Sequence, residues 1–186
     1  MDKLFKNAFY YYANVYILKF LRHFVTSRIF KKFQYNFYDK CGVKIQGNPE
    51  FISLTAKFDT SGNILISDRV VISDGVVILT HDYSISNAYR AVNCEKNGLP
   101  FVGDVVIGTN SFIGLNSIIM PGVEIGKNSV IAAGSVVTST VDDDTIVAGV
   151  PARPIGKINR LITCVDIKNK NVRLPNKNAR FISLST

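Results

Sequence analysis

From Ile66 onward an aliphatic residue returns at every sixth position, and this period constrains the chain more than any other feature. It first shows in Ile66-Ser-Asp-Arg-Val70 and Ile72-Ser-Asp-Gly-Val76, then Ile78. After an interruption it resumes through Ile107-Gly-Thr-Asn-Ser111, Ile113-Gly-Leu-Asn-Ser117 and Ile119-Met-Pro-Gly-Val123. Ile125-Gly-Lys-Asn-Ser129, Ile131-Ala-Ala-Gly-Ser135 and Val137 complete the series. Helices repeat at 3.6 residues and strands at two, so neither explains a period of six. A short strand followed by a tight turn does, and three such units close a triangular coil. The aliphatic then points into the prism, and a narrow corner admits only the small Ser or Val four positions later. Gly and Asn at the corners suit backbone with positive φ. Five consecutive units in register from 107 to 135 set aside a β-sandwich with chance spacing. Val43-Lys-Ile45 and Phe51-Ile52 begin the coil in a degraded register, whereas Val141 to Arg153 leaves the beat.

The chain therefore divides into a basic arm (1–40), the coil (41–157) and a C-terminal extension (158–186). The net charge of +8 lies at the two ends. Residues 1–40 carry eight Lys/Arg against Asp2 and Asp39, and residues 157–186 carry seven against Asp166. The stretch between holds seven basic and eleven acidic residues. Basic ends suit a membrane surface or a phosphorylated cofactor. No zinc-finger, RNA-recognition or helix-turn-helix pattern supports nucleic acid as a partner. Cys41, Cys94 and Cys164 are widely spaced and odd in number, so a reducing cytoplasm is the expected compartment.

The uncharged run from Asn7 to Leu18 is too short to span a bilayer, and Lys19 and Arg22 spoil it as a signal peptide. Ser27 is positioned to cap a second helix in which Ile29, Phe30, Phe33 and Phe37 share a face opposite Arg28, Lys31 and Lys32. Two readings stand open: a peripheral contact with an anionic membrane through residues 1–40, or packing of the aromatics on protein.

Between Ile78 and Val105 the beat is lost, and interruptions of that length are usually functional or disordered. Thr80-His81-Asp82-Tyr83 stands at its start. His81 leaves the coil where the loop departs, so its backbone is anchored while its ring reaches outward, as a general base requires. Asp82 is a weak candidate for orienting that ring. The only other histidine, His23, lies in the basic arm. Two histidines cannot supply the three ligands of a zinc site of the γ-carbonic-anhydrase kind, so no metal is expected.

The segments Thr80-His81, Asp104 to Gly114, Met120 to Gly126, Ala132 to Thr138 and Val147 to Arg153 resemble the hexapeptide-repeat acetyltransferases. The resemblance runs from about Val43 to Lys157, and is strongest to the galactoside, maltose and cell-surface-polysaccharide O-acetyltransferase branch. It implies a left-handed parallel β-helix, a cyclic trimer, acetyl-CoA as co-substrate and an acceptor loop at 79–104. By position it makes His81 the catalytic base and the backbone N–H of Leu115 the oxyanion donor. Phe112 falls where relatives often carry Trp beside the site, and Ala133 and Gly134 fall along the pantetheine groove. Arg153 falls where a basic residue meets the nucleotide phosphates. Ser139 follows Thr138 where relatives often have Lys, which leaves Lys157 or Arg160 to compensate. Asp82, Tyr83 and Asn63 are the candidate acceptor contacts, although the sugar-holding Asn and Asp of relatives have no clear counterpart.

An acceptor hydroxyl needs a base that titrates near neutrality, which imidazole provides. A backbone donor at the developing oxyanion lowers the barrier by about 3–4 kcal/mol. The expected activity is O-acetylation of a glycan or its lipid-linked precursor. A streptogramin-type drug acetyltransferase and a non-catalytic β-helix scaffold are the competing readings.

Overall fold

The computed structural model describes residues 16–18, 20, 21, 24, 26–93 and 100–159. His23, Cys94, Arg160, Cys164 and nearly all of the C-terminal extension lie outside them, as does most of the arm before Thr26.

The six-residue period becomes a three-faced coil of parallel strands, each winding adding one strand to each face. The first face stacks β1 (Val43–Ile45), β4 (Ile64–Ile66), β9 (Val105–Ile107) and β12 (Glu124–Ile125). The second stacks β2 (Phe51–Ile52), β5 (Val71–Ile72), β10 (Phe112–Ile113), β13 (Val130–Ile131) and β15 (Thr145–Gly149). The third stacks β3 (Lys57–Phe58), β6 (Val77–Ile78), β11 (Ile118–Ile119) and β14 (Val136–Val137). β16 (Ala152–Lys157) then pairs antiparallel with β15 and ends the stack.

Register sets the core. Ile52, Ile72, Ile113, Ile131 and Val147 lie directly above one another on the second face, and Phe58, Ile78, Ile119 and Val137 on the third. Ile64, Ile66, Ile72, Ile78, Ile107, Ile113, Ile119 and Ile131 have no solvent exposure. The corner residues Ser111, Ser117, Ser129 and Ser135 are buried with them. Their hydroxyls find main-chain partners: Ser111 Oγ donates to Gly126 O at 2.7 Å and Ser117 Oγ to Gly114 O at 2.8 Å. An unpaired hydroxyl there would be costly. On the corner between the first and second faces, Asn110, Asn128 and Asp144 hold φ of 61°, 54° and 57°. Their side chains form a ladder, with Asn110 Nδ2 donating to Asn128 Oδ1 and Asn128 Nδ2 to Asp144 Oδ1, both at 2.9 Å.

The helix Ser27–Lys40 closes the lower end. Thr26 occupies the N-cap position and Ser27 is the first helical residue, so the cap lies one residue earlier than the sequence suggests, without a side-chain capping bond. The expected single aromatic face is split. Phe37 and Tyr38 are buried against the coil, with the Tyr38 ring edge-on to Phe58 at 5.1 Å, and Phe30 packs beside them. Ile29 and Phe33 remain about half exposed. The buried polar residue on this helix is Gln34, whose Nε2 donates to the carbonyl of Ile52 at 2.7 Å, and the Tyr35 hydroxyl donates to Pro49 O at 2.7 Å. Among the described residues no strand lies beneath the first winding to take those carbonyls, and the helix supplies their donors.

The coil outlasts the beat beyond Val141, with β15 still parallel to β13 before the reversal at Val150-Pro151. The interruption also has structure of its own. β7 (His81–Asp82) and β8 (Phe101–Val102) form an antiparallel ribbon, and a helix spans Ser84–Asn93.

Candidate active site

His81 sits at the third-to-first corner, where the ribbon departs. Leu79 is still part of the coil, its N–H donating to Ile119 O at 2.9 Å, and Gly103 N–H returns to Thr80 O at 2.9 Å. The histidine backbone is therefore clamped from both sides, opposite Val102 in the ribbon.

Asp59, not Asp82, orients the ring. Asp59 follows Phe58 one winding below, and its Oδ2 lies 2.5 Å from His81 Nδ1. The same oxygen accepts the backbone N–H groups of Thr80 and His81, both at 2.9 Å, and the Thr80 hydroxyl at 3.0 Å. Its other oxygen accepts the Ser61 hydroxyl at 2.8 Å. Burial alone would raise this carboxyl's pKa. The Thr80 N–H, the Ser61 hydroxyl, the His81 ring and the Thr80 hydroxyl outweigh it and bring the pKa down to about 2. At neutral pH Asp59 is thus an ionised, acceptor-only group, so Nδ1 carries the proton and donates. Ser61 Oγ, 3.2 Å from Nδ1, gives its own proton to Asp59. Nε2 is left with the lone pair, on a side chain that is 36% exposed. Geometry therefore fixes the tautomer a base needs.

Asp82 has a different task. Its oxygens accept the N–H and hydroxyl of Ser84, both at 2.8 Å, at the start of the loop helix. Tyr83 stands edge-on to the His81 ring, with centroids 5.7 Å apart, and is half exposed. Asn63 donates from N and Nδ2 to the Asp104 carboxylate, pinning the return of the loop to the first face.

The other predicted residues collect elsewhere. Leu115 and Ala133 occupy equivalent places on the second-to-third corner, one winding apart, linked by Gly134 N–H donating to Leu115 O at 2.8 Å. The amides around them are used: Gly114 N bonds Ile131 O and Asn116 N bonds Asp74 O. The N–H groups of Leu115 and Ala133 have no partner among the described residues. They form a short column of free donors. Gly114 lets the windings close here, since a Cβ on it would lie 2.6 Å from Ala133 N. Gly134, at φ +70°, has open space where its Cβ would be. Phe112 projects from the adjoining second face and is 40% exposed. Arg153, paired with Ala148, lies toward the same corner.

Thr138 and Ser139 lie on the corner that carries His81, two windings above it, after β14. Lys157 does not join the Leu115 column. It pairs with Thr145 at the opposite edge of the second face, where its Nζ donates to Asp143 O at 3.1 Å and Thr145 Oγ1 at 2.7 Å. Within one chain, His81 and the Leu115–Ala133 amides thus occupy opposite edges of the third face.

Sequence reading placed Asp59, like Ser53, only as a register neighbour of the relatives' sugar-holding residues and did not pair it with His81. Phe58 and Ile78 share a register position, so counting the degraded first winding back from Ile78 would have placed Asp59 under the Thr80-His81 corner. The extra residues at Asp59–Asn63 hide that step.

Residues 104–139 match the family model for the hexapeptide repeat of succinyl-transferase. The galactoside O-acetyltransferase of Escherichia coli (strain K12) is 38% identical over 96 residues, covering 52% of this chain and 45% of that protein. The chain spans about half the length of the first curated relatives it matches. Protein CapG of Staphylococcus aureus is 40% identical over 123 residues, covering 64% of this chain and 68% of CapG. A hexapeptide-repeat-containing acetyltransferase of Vibrio cholerae O1 biovar eltor, solved with acetyl-CoA, superposes with a TM-score of 0.55 and 31% identity, over 63% of this chain and 61% of that one. With its three-faced coil, its anchored histidine and these relatives, the chain belongs to the hexapeptide-repeat acetyltransferase family.

Proposed function

We propose that the protein is an acetyl-CoA-dependent O-acetyltransferase that modifies a sugar hydroxyl, in a cell-surface polysaccharide or its lipid-linked precursor. The observation that carries this reading is the His81–Asp59 pair, with Nδ1 committed to the carboxylate and Nε2 available. The relatives' activities support the acyl donor and the sugar class. We take the coil as left-handed on the same family grounds.

In the reaction, His81 Nε2 removes the proton from the acceptor hydroxyl as its oxygen attacks the thioester carbonyl. The imidazolium so formed is stabilised by the Asp59 carboxylate. Negative charge gathers on the carbonyl oxygen, where the Leu115 N–H donates, and the Ala133 amide holds the pantetheine alongside. Collapse of the tetrahedral centre breaks the C–S bond, and His81 returns the proton to the departing sulfur. No nucleophilic side chain is needed.

Because the base and the amide column lie on opposite edges of one face, the site is best completed by a second copy. The outer surface of the second face favours such contact. Phe51, Val71, Phe112 and Val130 stack in register along it, with Phe51 and Phe112 about 40% exposed. A cyclic homotrimer gives each chain one such contact on either side.

The test is transfer of label from acetyl-CoA to a panel of sugars, lipid-linked glycans and streptogramins by wild type and His81→Ala. A glycan product lost in the variant is expected. Modification of streptogramins alone would favour the xenobiotic reading, and undiminished transfer by His81→Ala would remove the mechanism.

A further inference from the structure

The helix Ser27–Lys40 presents three stripes. One, through Gln34, Phe37 and Tyr38, is fixed on the coil. The second is basic: Arg28, Lys31, Lys32 and Tyr35 line an open groove of about 510 Å³ together with Asn48. The third is apolar: Ile29 and Phe33, 47% and 53% exposed, line a second groove of about 570 Å³ with Asn36. Lys32 borders both grooves. Ahead of the helix, Phe20 and Phe24 are 67% and 70% exposed, their rings 4.8 Å apart. No Asp or Glu occurs from Lys3 to Tyr38, while seven Lys/Arg do.

We infer that this helix docks the enzyme peripherally on an anionic lipid bilayer. Side by side, a cationic groove and an apolar groove match the two chemistries of a bilayer's edge. Phosphate headgroups meet Arg28, Lys31 and Lys32, and the acyl boundary takes Ile29 and Phe33. Lys32 lies between them, with a stem long enough to follow the apolar surface while its ammonium reaches the phosphates. The coil side of the helix is occupied by its own body, which leaves these stripes facing outward. The unbroken positive charge favours lipid over a second copy, whose helix would bring the same charge. Each Lys or Arg near an anionic surface adds to the attraction, which salt weakens.

Co-sedimentation of the full chain with vesicles of phosphatidylcholine alone, or of phosphatidylcholine mixed with phosphatidylglycerol as the anionic lipid, tests the proposal. Binding is expected only to the anionic vesicles. It should fall at least about tenfold in 0.5 M salt, in Lys31→Glu/Lys32→Glu and in Ile29→Ser/Phe33→Ser. Thermal melts should show both variants folded, and their acetyl transfer to a soluble acceptor should match wild type. Absence of partition into anionic vesicles, or equal partition into both kinds, would overturn it. So would an Ile29→Ser/Phe33→Ser protein that keeps its lipid binding but changes oligomeric mass, since a second copy would then cover the apolar stripe.

Discussion

Asp59 reaches His81 from the winding below, with Oδ2 2.5 Å from Nδ1, although the two residues are 22 positions apart in sequence. The pair depends on the stacking of β3 under β6, so the reactivity of the imidazole is tied to the integrity of the coil.

His81→Ala should lower kcat by about 10²–10⁴ while leaving the melting temperature and coenzyme A binding close to wild type. Steady-state kinetics with isothermal titration of coenzyme A would check it. A comparable loss of binding would mean that the histidine holds the donor substrate and does not act as the base.

Asp59→Asn keeps the volume but replaces an acceptor with a group that also donates to Nδ1. We expect kcat to fall by about 10²-fold or more as the imidazole shifts tautomer, with KM for acetyl-CoA little changed. Nitrogen chemical shifts of the His81 ring should report the proton moving from Nδ1 to Nε2.

Asp59 also predicts a pH dependence of stability. Its carboxyl titrates near 3.8 in the unfolded chain and at about 2 when folded. A depressed folded value means that its contribution, about 2 kcal/mol, is fully present above the unfolded value. It is lost as pH falls through the folded one. Urea unfolding at pH 7 and at about pH 2 should show wild type losing most of this increment, and Asp59→Asn should lack it at both.

Gln34→Leu should destabilise the protein by about 1–3 kcal/mol, because the Ile52 carbonyl would lose its donor in a buried setting. Ile113→Ala, in the fully buried second-face stack, should cost about 2–5 kcal/mol. Denaturant titration would compare the two, and only the Gln34 variant should speed hydrogen exchange mainly in the first winding.

The coil was readable because its period leaves a mark at each position: Ile107, Ile113, Ile119, Ile125 and Ile131 all point inward as their spacing requires. The lower windings were harder, since the corners at Gln46–Glu50 and Asp59–Asn63 carry additional residues that blur the count. His81 stood out as a candidate because it lies where the beat stops. Its partner did not, because contact between windings depends on a register that only the stacked strands reveal. Lys157 illustrates the reverse case. It was a candidate to replace the Lys that relatives carry where this chain has Ser139, but an extended strand carries it to the far edge of the second face from Arg153.

The donors that Gln34 and Tyr35 bring to the first winding have a consequence for assembly. A ladder of parallel strands with a bare lower rim is a template on which another molecule's last winding could seat, repeating end to end into a filament. Occupying Ile52 O and Pro49 O from within the same chain removes that template and so guards against end-to-end growth.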